Sequence, residues 1–294
     1  MKTVEMTAQC VCAVIVTYNP RAMFIDNIVA VAAQAGHVVV VDNGSSGETE
    51  QHLLELATRP CCKVIRNHEN LGIAAALNLG AKYAMEAGFE WVCTFDQDSR
   101  ICDRFISKML EAYEQAAHPE EVALLIPRYV DRESGIEVRL RRTRNGEILT
   151  AMTSGSMIPV SAIHQLGFFD ESLFIDAVDT DFCLRARRQG MLILQSSAVL
   201  LHSLGRTTYH RLFGLRFGTT NHSASRHYYI TRNRLRLLAR YRADWPWVWR
   251  EIRGMVFDDA KILLVEHDKW RKFRAMAAGA ADAISGKFGK RIEL

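Results

Sequence analysis

Residues 91–99 read WVCTFDQDS, an apolar run that stops at two carboxylates, Asp96 and Asp98, one residue apart. Trp91 to Phe95 has the aromatic and β-branched content of a strand, so the aspartates fall where that strand ends. In an open α/β sheet, ligands bind outside the carboxyl ends of the strands. Side chains two apart on an extended chain point the same way. Two carboxylates aimed at one spot repel each other unless a cation lies between them. A hard divalent ion, Mg2+ or Mn2+, does this and commonly shares the carboxylates with a substrate's phosphates. An isolated D-x-D is otherwise a loop with two solvated aspartates, and the surrounding chain decides between these readings.

Working outward, buried-strand runs alternate with helical patterns. Val11 to Thr17 (VCAVIVT) reads as a strand ended by Asn19-Pro20, and residues 22–35 as a helix. His37 to Val41 is a second strand, stopped by Asp42-Asn43-Gly44-Ser45-Ser46, with a helix following to about Leu56. Lys63 to Arg66 is a third strand. Asn70-Leu71-Gly72 opens an alanine-rich helix to Ala87. After the strand at 91–95 come a helix over 103–117 and a strand over 122–126. This order predicts βαβ units and a mostly parallel sheet. Residues 129–150 are Arg-rich, with turns at Ser134-Gly135 and Asn145-Gly146, and read as a hairpin-like excursion or mobile loop. An acidic segment (174–182), a basic helix to Gln189 and a strand over 192–200 follow. Beyond His202 the chain reads as helical.

The chain has 294 residues, 49% hydrophobic and 24% charged, which is globular. No apolar run is long enough to span a bilayer, and the N-terminus lacks the apolar core of a signal peptide. Seven cysteines without a C-x-x-C pair read as small buried residues in a reducing compartment, so a cytoplasmic location is expected. Charge is uneven. From Ser203 onward 19 lysines and arginines stand against 8 acidic residues, +11, while Met1 to His202 carries 18 against 25, −7. The basic tail is expected to meet something anionic.

Other strand ends also carry polar groups. Thr17-Tyr18-Asn19 and Asp42-Asn43-Gly44 would share one sheet edge with Asp96 and Asp98. Asp42 can accept the imino N–H of a pyrimidine, or be an ordinary turn aspartate. Asn70-x-Gly72 ahead of a helix offers backbone N–H groups to an anion.

In this order the motifs resemble the family-2 inverting glycosyltransferases, of GT-A fold. The match runs VIVTYN (14–19), VVDNGSS (40–46), NLGIAAALNLG (70–80), FDQDS (95–99), SGSMIP (154–159), GFFDESLFIDAVDTDFCLRARRQG (167–190) and HSLG (202–205), about two thirds of the chain. The D-Q-D-S and F-I-D-x-V-D-x-D-F strings are similar to the rhamnosyltransferase branch, which uses dTDP-L-rhamnose. The resemblance implies a GT-A α/β domain over 1–205, with a helical basic extension over 206–294. It implies that Thr17, Tyr18, Asn19, Asp42 and Asn43 hold the nucleoside. Asn70, Gly72, Asn78, Asp96 and Gln97 would lie along the diphosphate-sugar. Asp96 and Asp98 would bind Mg2+ or Mn2+, with His202 completing the shell. His202 is otherwise a histidine ending a buried strand.

Inversion needs one base on the acceptor hydroxyl, opposite the leaving diphosphate. The family's base is the Asp of a Glu-Asp pair, which implies Asp179. Val178 stands where the Glu would be, and Asp176 is expected to supply the missing charge. Neighbouring carboxylates raise a carboxylate's proton affinity, which suits a base. Asp181 reads as a helix cap. The expected acceptor is a glycan or lipid-linked saccharide.

Arg226, Arg232, Arg234 and Arg236 fit the pyrophosphate of a lipid-linked acceptor or the donor phosphates, or else the solvated basic face of a helical appendage. The tail's tryptophans and arginines fit an anionic membrane surface, with peripheral placement on the inner face of the cytoplasmic membrane, or else a helical appendage packed on the core. Interleaved aromatics and basic residues also occur in nucleic-acid binders, but no nucleic-acid motif is present and none is expected as partner. A nucleotidyltransferase would share paired aspartates on a parallel sheet, yet usually opens with a Gly-rich loop, and here the first strand ends in TYNP.

Overall fold

A computed structural model describes residues 7–20, 24–47, 49–143, 145–202, 208–212 and 215–293, with the backbone alone for 208–212 and 215–217. The chain divides into two compact units. One is Met1–Glu171 with Val178–Ser203, the other Ser172–Ala177 with Leu204–Leu294. The boundary expected between residues 205 and 206 lies outside the described residues.

The first unit follows the order β1 (Val11–Thr17), α1 (Phe24–Ala32), β2 (His37–Asp42), α2 (Thr49–Ala57), β3 (Cys62–Arg66), α3 (Ile73–Glu86), β4 (Trp91–Asp96), β5 (Arg100–Ile101), α4 (Phe105–Glu114), β6 (Val122–Asp131), β7 (Ser156–Pro159), α5 (Val160–Leu166), α6 (Val178–Arg188) and β8 (Leu192–His202). The strands form one sheet in the order β3-β2-β1-β4-β7-β6-β8-β5. β3, β2, β1 and β4 are parallel. Every residue of β1 is buried, which is why this segment is apolar without alternation. α3 crosses β1 closely: a Cβ on Gly80 would lie 2.2 Å from Val14 Cγ1.

Two features depart from the sequence expectation. β7 runs antiparallel to both β4 and β6, and its four residues are too few to show a period. β6 continues past Pro127 to Asp131, because the proline sits where the β6/β8 register shifts and no ladder N–H is needed. Residues 129–150 fold back through the antiparallel bridges Val130↔Glu137 and Arg142↔Ile148, around the two expected turns, in keeping with the hairpin-like excursion.

The second unit contains β9 (Thr208–Leu212), β10 (Leu215–Thr219), α7 (Ala224–Arg240), α8 (Trp245–Val265) and α9 (Lys269–Ile284). The β9/β10 pair is antiparallel and corrects the expectation that the chain is helical from His202. α9 lies so close to α7 that a Cβ on Gly279 would be 2.4 Å from Tyr228 O.

Residues 172–177 belong here, and they are strained: Phe174, Asp176 and Ala177 all have left-handed φ of 66°, 60° and 63°. Each costs roughly 1–2 kcal/mol for a residue with a Cβ. The segment is held by buried Asn233, whose Nδ2 donates to the carbonyls of Leu173 (2.8 Å), Ile175 (2.7 Å) and Asp176 (3.1 Å). Buried Arg232 adds bonds to Leu173 O (3.0 Å) and Gly289 O (2.7 Å). Asn233→Ala should therefore lower stability by about 2–4 kcal/mol in urea unfolding. A change below the noise of that measurement would mean that the strain is held elsewhere.

The arginine cluster has partners within the unit. Arg226 forms a two-point pair with Asp176. Arg234 pairs with Glu251 and Asp258. Arg236 stacks 3.9 Å over Phe288. Each of these guanidiniums has a partner within the unit.

Candidate active site

The ladder aligns the strand ends. Thr17 lies opposite Asp42 across β1/β2, and Val16 opposite Asp96 across β1/β4. Thr17, Asp42 and Asp96 therefore emerge at one sheet edge. β2 stops at a turn whose Gly44 has φ 86°, and a Cβ there would lie 2.6 Å from the Glu69 backbone. Asp42 is buried. Its Oδ1 accepts from the hydroxyls of Thr17 (3.1 Å) and Ser45, and its Oδ2 from Ser45 N–H (3.1 Å). A carboxylate offers about four acceptor sites, so these bonds leave room for one donor from a ligand. Tyr18 N–H donates to Gln97 Oε1 at 2.8 Å, and Asn19 N–H to Ser45 Oγ at 2.8 Å. Tyr18, Asn19, Asp42 and Gln97 thus form one bonded rim.

Asn43 and Asn70 stitch the loops beneath that rim. Asn43 Nδ2 donates to Asn70 Oδ1 at 2.8 Å. Leu71 N–H donates to Asn43 Oδ1 (3.1 Å) and Gly72 N–H to Asn70 Oδ1 (2.9 Å). Two N–H groups ahead of α3, those of Leu71 and Gly72, are thus taken by the chain's own amides. Asn78 is buried, its Nδ2 donates to Phe169 O and Glu171 Oε1 (both 2.9 Å), and its Oδ1 accepts from Phe169 N–H (3.0 Å). It clamps α3 to the 169–171 segment.

Asp96, Asp98 and His202 come together from distant sequence. β5 pairs antiparallel with β8, Arg100 opposite Leu201, and so carries the D-Q-D-S turn to the end of β8. One ligand atom from each of the three lies within 4.8 Å of the others. Two carboxylates with an imidazole fit a divalent cation, and the nitrogen ligand tilts the set from Mg2+ towards Mn2+. A second acidic cluster, His118, Glu120 and Glu121, is wholly exposed and precedes β6, at the opposite sheet edge.

Two serines support the triad that sequence reasoning quoted but gave no role. Ser99 Oγ, buried, lies 3.3 Å from His202 Nδ1 and 2.5 Å from Ser154 Oγ. Ser154 Oγ in turn accepts from Asp96 N–H at 3.1 Å. A serine on Nδ1 leaves Nε2 for a metal. The only sequence signal was a serine directly after the paired carboxylates. Ser99→Ala should weaken Mn2+ binding roughly 10–100-fold, the usual effect of losing such an orienting partner, when read by calorimetric titration. Unchanged affinity would mean that β8 alone fixes the ring.

Asp179 sits in the first turn of α6, half-buried, beside a small cleft bordered by Met152, Thr153, Ser156 and Phe169. Thr153 adjoins Ser154, so the cleft neighbours the turn that supports the metal triad. Asp179 Oδ1 accepts from Thr180 N–H at 2.7 Å. Burial, with a lesser push from the Asp179 charge, holds the Tyr129 phenol far above its usual range. It stays protonated and donates to Met152 O at 3.2 Å. Burial also pushes the Cys183 thiol up to about 12, which removes it as a nucleophile.

Each neighbouring acid has an arginine partner. Asp176 is paired with Arg226 in the second unit. Asp181 is buried inside α6 and bonded to Arg185 Nε at 2.9 Å, while Arg185 also donates to Leu166 O and Phe168 O. Asp181 therefore ties α6 to the 166–168 loop rather than capping a helix.

Comparison with known proteins bears on this geometry. The profile of the family described as "Glycosyl transferase family 2" matches residues 12–169, more than half the chain. The dTDP-rhamnosyl transferase RfbF of Shigella flexneri is 29% identical over 294 residues, covering 94% of this chain and 96% of that one. The galactofuranosyltransferase GlfT1 of Mycolicibacterium smegmatis is 25% identical, covering 78% and 83%. Among solved structures, the mannosyltransferase PcManGT from Pyrobaculum calidifontis, in complex with GDP-Man and Mn2+, superposes with a TM-score of 0.59 at 17% identity, over 94% of this chain and 75% of that one. GalNAc-T7 with UDP, GalNAc and Mn2+ gives 0.59 at 15% identity, and the chain spans 57% of its length. Such likenesses establish the shared GT-A fold, a mixed sheet flanked by helices.

Proposed function

Because this chain belongs to glycosyl transferase family 2, we propose that it moves L-rhamnose from dTDP-L-rhamnose, with inversion, onto a hydroxyl of a glycan or lipid-linked saccharide at a membrane surface. The observation that carries the choice of sugar is the nearly end-to-end similarity to a dTDP-rhamnosyl transferase, which takes in the second unit as well as the sheet. The galactofuranosyltransferase similarity, over 78% of the chain, supports a second reading with a UDP-sugar donor.

Asp42 would accept the imino N–H of thymine through its remaining acceptor site, and the Thr17–Asn19 rim with Asn43 would seat the nucleoside. Gln97 would steady the rim through Tyr18. Asp96, Asp98 and His202 would hold Mg2+ or Mn2+. That ion would neutralise the diphosphate as negative charge builds on it. Asp179 would take the proton from the acceptor hydroxyl. The acceptor oxygen then bonds to the anomeric carbon from the face opposite the diphosphate, and the carbon–oxygen bond to dTDP breaks with its electron pair leaving on phosphate.

Titrating dTDP, UDP and GDP with Mn2+ tests the donor. A preference for dTDP, or parity with UDP, is expected. A clear preference for GDP would exclude it, because a carboxylate paired to a pyrimidine imino group does not read guanine in the same way. UDP bound with dTDP left behind would favour the second reading.

A further inference from the structure

The second unit carries a surface that the proposed chemistry does not use. On α8 the large apolar side chains Trp245, Trp249, Val256, Phe257, Leu263 and Leu264 are between 48% and 68% exposed. At 3.6 residues per turn they fall within about 120° of the helix circumference. The side of α8 turned to the rest of the unit holds the buried residues Trp247, Val248 and Ile262, with Glu251 and Asp258 paired to Arg234 of α7 and Lys261 to Asp258. The apolar stripe is a second apolar face, turned to water, with Arg253 within it and Arg250 on its border, where an ordinary amphipathic helix is polar.

α9 repeats the arrangement. Trp270 (79% exposed), Phe273 (48%) and Ile284 (86%) line up with exposed Ala277 and Ala281 within about 80° of its circumference.

The exposed charges around these stripes are mostly positive. Over residues 245–284 the exposed ionised side chains are Arg250, Arg253, Lys269, Arg271 and Arg274 against Asp268 alone. Among the described residues, none of Arg250, Arg253, Arg271 and Arg274 forms an ion pair. Single exposed apolar side chains are ordinary on a protein surface, but stripes several turns long are not. No described helix is long and apolar enough to cross a membrane.

We propose that α8 and α9 lie in the headgroup–acyl boundary of an anionic bilayer, with their tryptophans and aliphatic side chains in the acyl region and their arginines among the phosphates. Charge complementarity selects this occupant over a second copy of the chain. Two copies would bring like-charged rings face to face, whereas anionic headgroups neutralise them. The inference names the elements that would give the proposed enzyme its membrane-side placement. It rests on that reading only for its biological setting, since lipid binding needs no donor, metal or acceptor.

The test is sedimentation of the full chain with vesicles of mixed phosphatidylglycerol and phosphatidylcholine, against phosphatidylcholine alone. Binding to the anionic vesicles is expected, and it should weaken with salt as the screening length falls from about 10 Å at 0.1 M to 3 Å at 1 M. Trp249→Glu and Trp270→Glu should each reduce it roughly tenfold or more, given what burial of one large apolar side chain contributes. Arg253→Gln with Arg274→Gln should lower the salt dependence. Both tryptophans are exposed, so the thermal midpoint and dTDP–Mn2+ binding should stay as in the parent, which separates this result from any failure of the catalytic reading. Wild-type vesicle binding by Trp249→Glu and Trp270→Glu overturns the proposal. So does a parent chain that ignores vesicles, whether it stays monomeric in light scattering or forms a dimer that Trp249→Glu dissociates.

Discussion

Asp98→Ala is expected to lower glycosyl transfer by roughly 10³-fold or more while the protein stays folded, since charge stabilisation at a leaving diphosphate is worth several kcal/mol. Asp98 is exposed at the end of the D-Q-D-S turn, so its loss leaves no cavity and no orphaned partner in the core. Its carboxylate reaches the same point as Asp96 and His202. Removing it leaves one carboxylate and one imidazole, too few to hold the ion against water. Mn2+-dependent binding of dTDP should fall with turnover. EDTA should reproduce the loss in the parent and add little in the variant. Full activity in Asp98→Ala, or in the parent with excess EDTA, would remove the metal from the account. Asp96 is a poorer probe, because its backbone N–H is bonded to Ser154 and its residue ends a buried strand.

The second large effect is expected at Asp179. Asp179→Asn keeps the side chain's size and removes its basicity, so turnover should fall roughly 10²–10⁴-fold, the usual worth of general base catalysis. Donor binding should stay nearly intact, because nucleoside and diphosphate are assigned to groups at the ends of β1, β2 and β4. Asp181→Asn should behave differently. It breaks a buried pair with Arg185, whose side chain also holds the 166–168 loop, so stability should fall before catalysis does. Asp176→Asn unpairs Arg226 and should act mainly on the second unit. A dead Asp176→Asn beside an active Asp179→Asn would reverse the assignment of the base.

How far the sequence disclosed this arrangement depended on whether each signal was local. β1, β2 and β4 were legible because both faces are buried and the runs are apolar without interruption. The D-x-D was legible because it ends one of them. His202 stands more than a hundred residues from Asp98, and only the short β5/β8 pairing brings them together. The sequence offered it through resemblance alone. Ser99 and Ser154 lay in quoted motifs, but their bond to each other depends on where β7 enters the sheet, and four residues cannot signal that strand. The contacts of Asn78 were not legible, because its motif position says nothing of Phe169 and Glu171, which use its amide. The partners of the α7 arginines were hidden for a similar reason. A basic run advertises charge, while its partners Asp176, Glu251 and Asp258 come from other elements of the unit. For α8 the sequence left two readings open, since apolar residues at helical spacing look alike whether they face a core or a bilayer.

The central claim is displacement at the anomeric carbon with one base and inversion. It is tested most directly by incubating the enzyme with dTDP-L-rhamnose and Mn2+, with water as acceptor, and reading the first-formed anomer by proton NMR before it equilibrates. The account predicts free rhamnose of configuration opposite to that in the donor, released only when the metal is present. Release of the anomer with the donor's own configuration would contradict it.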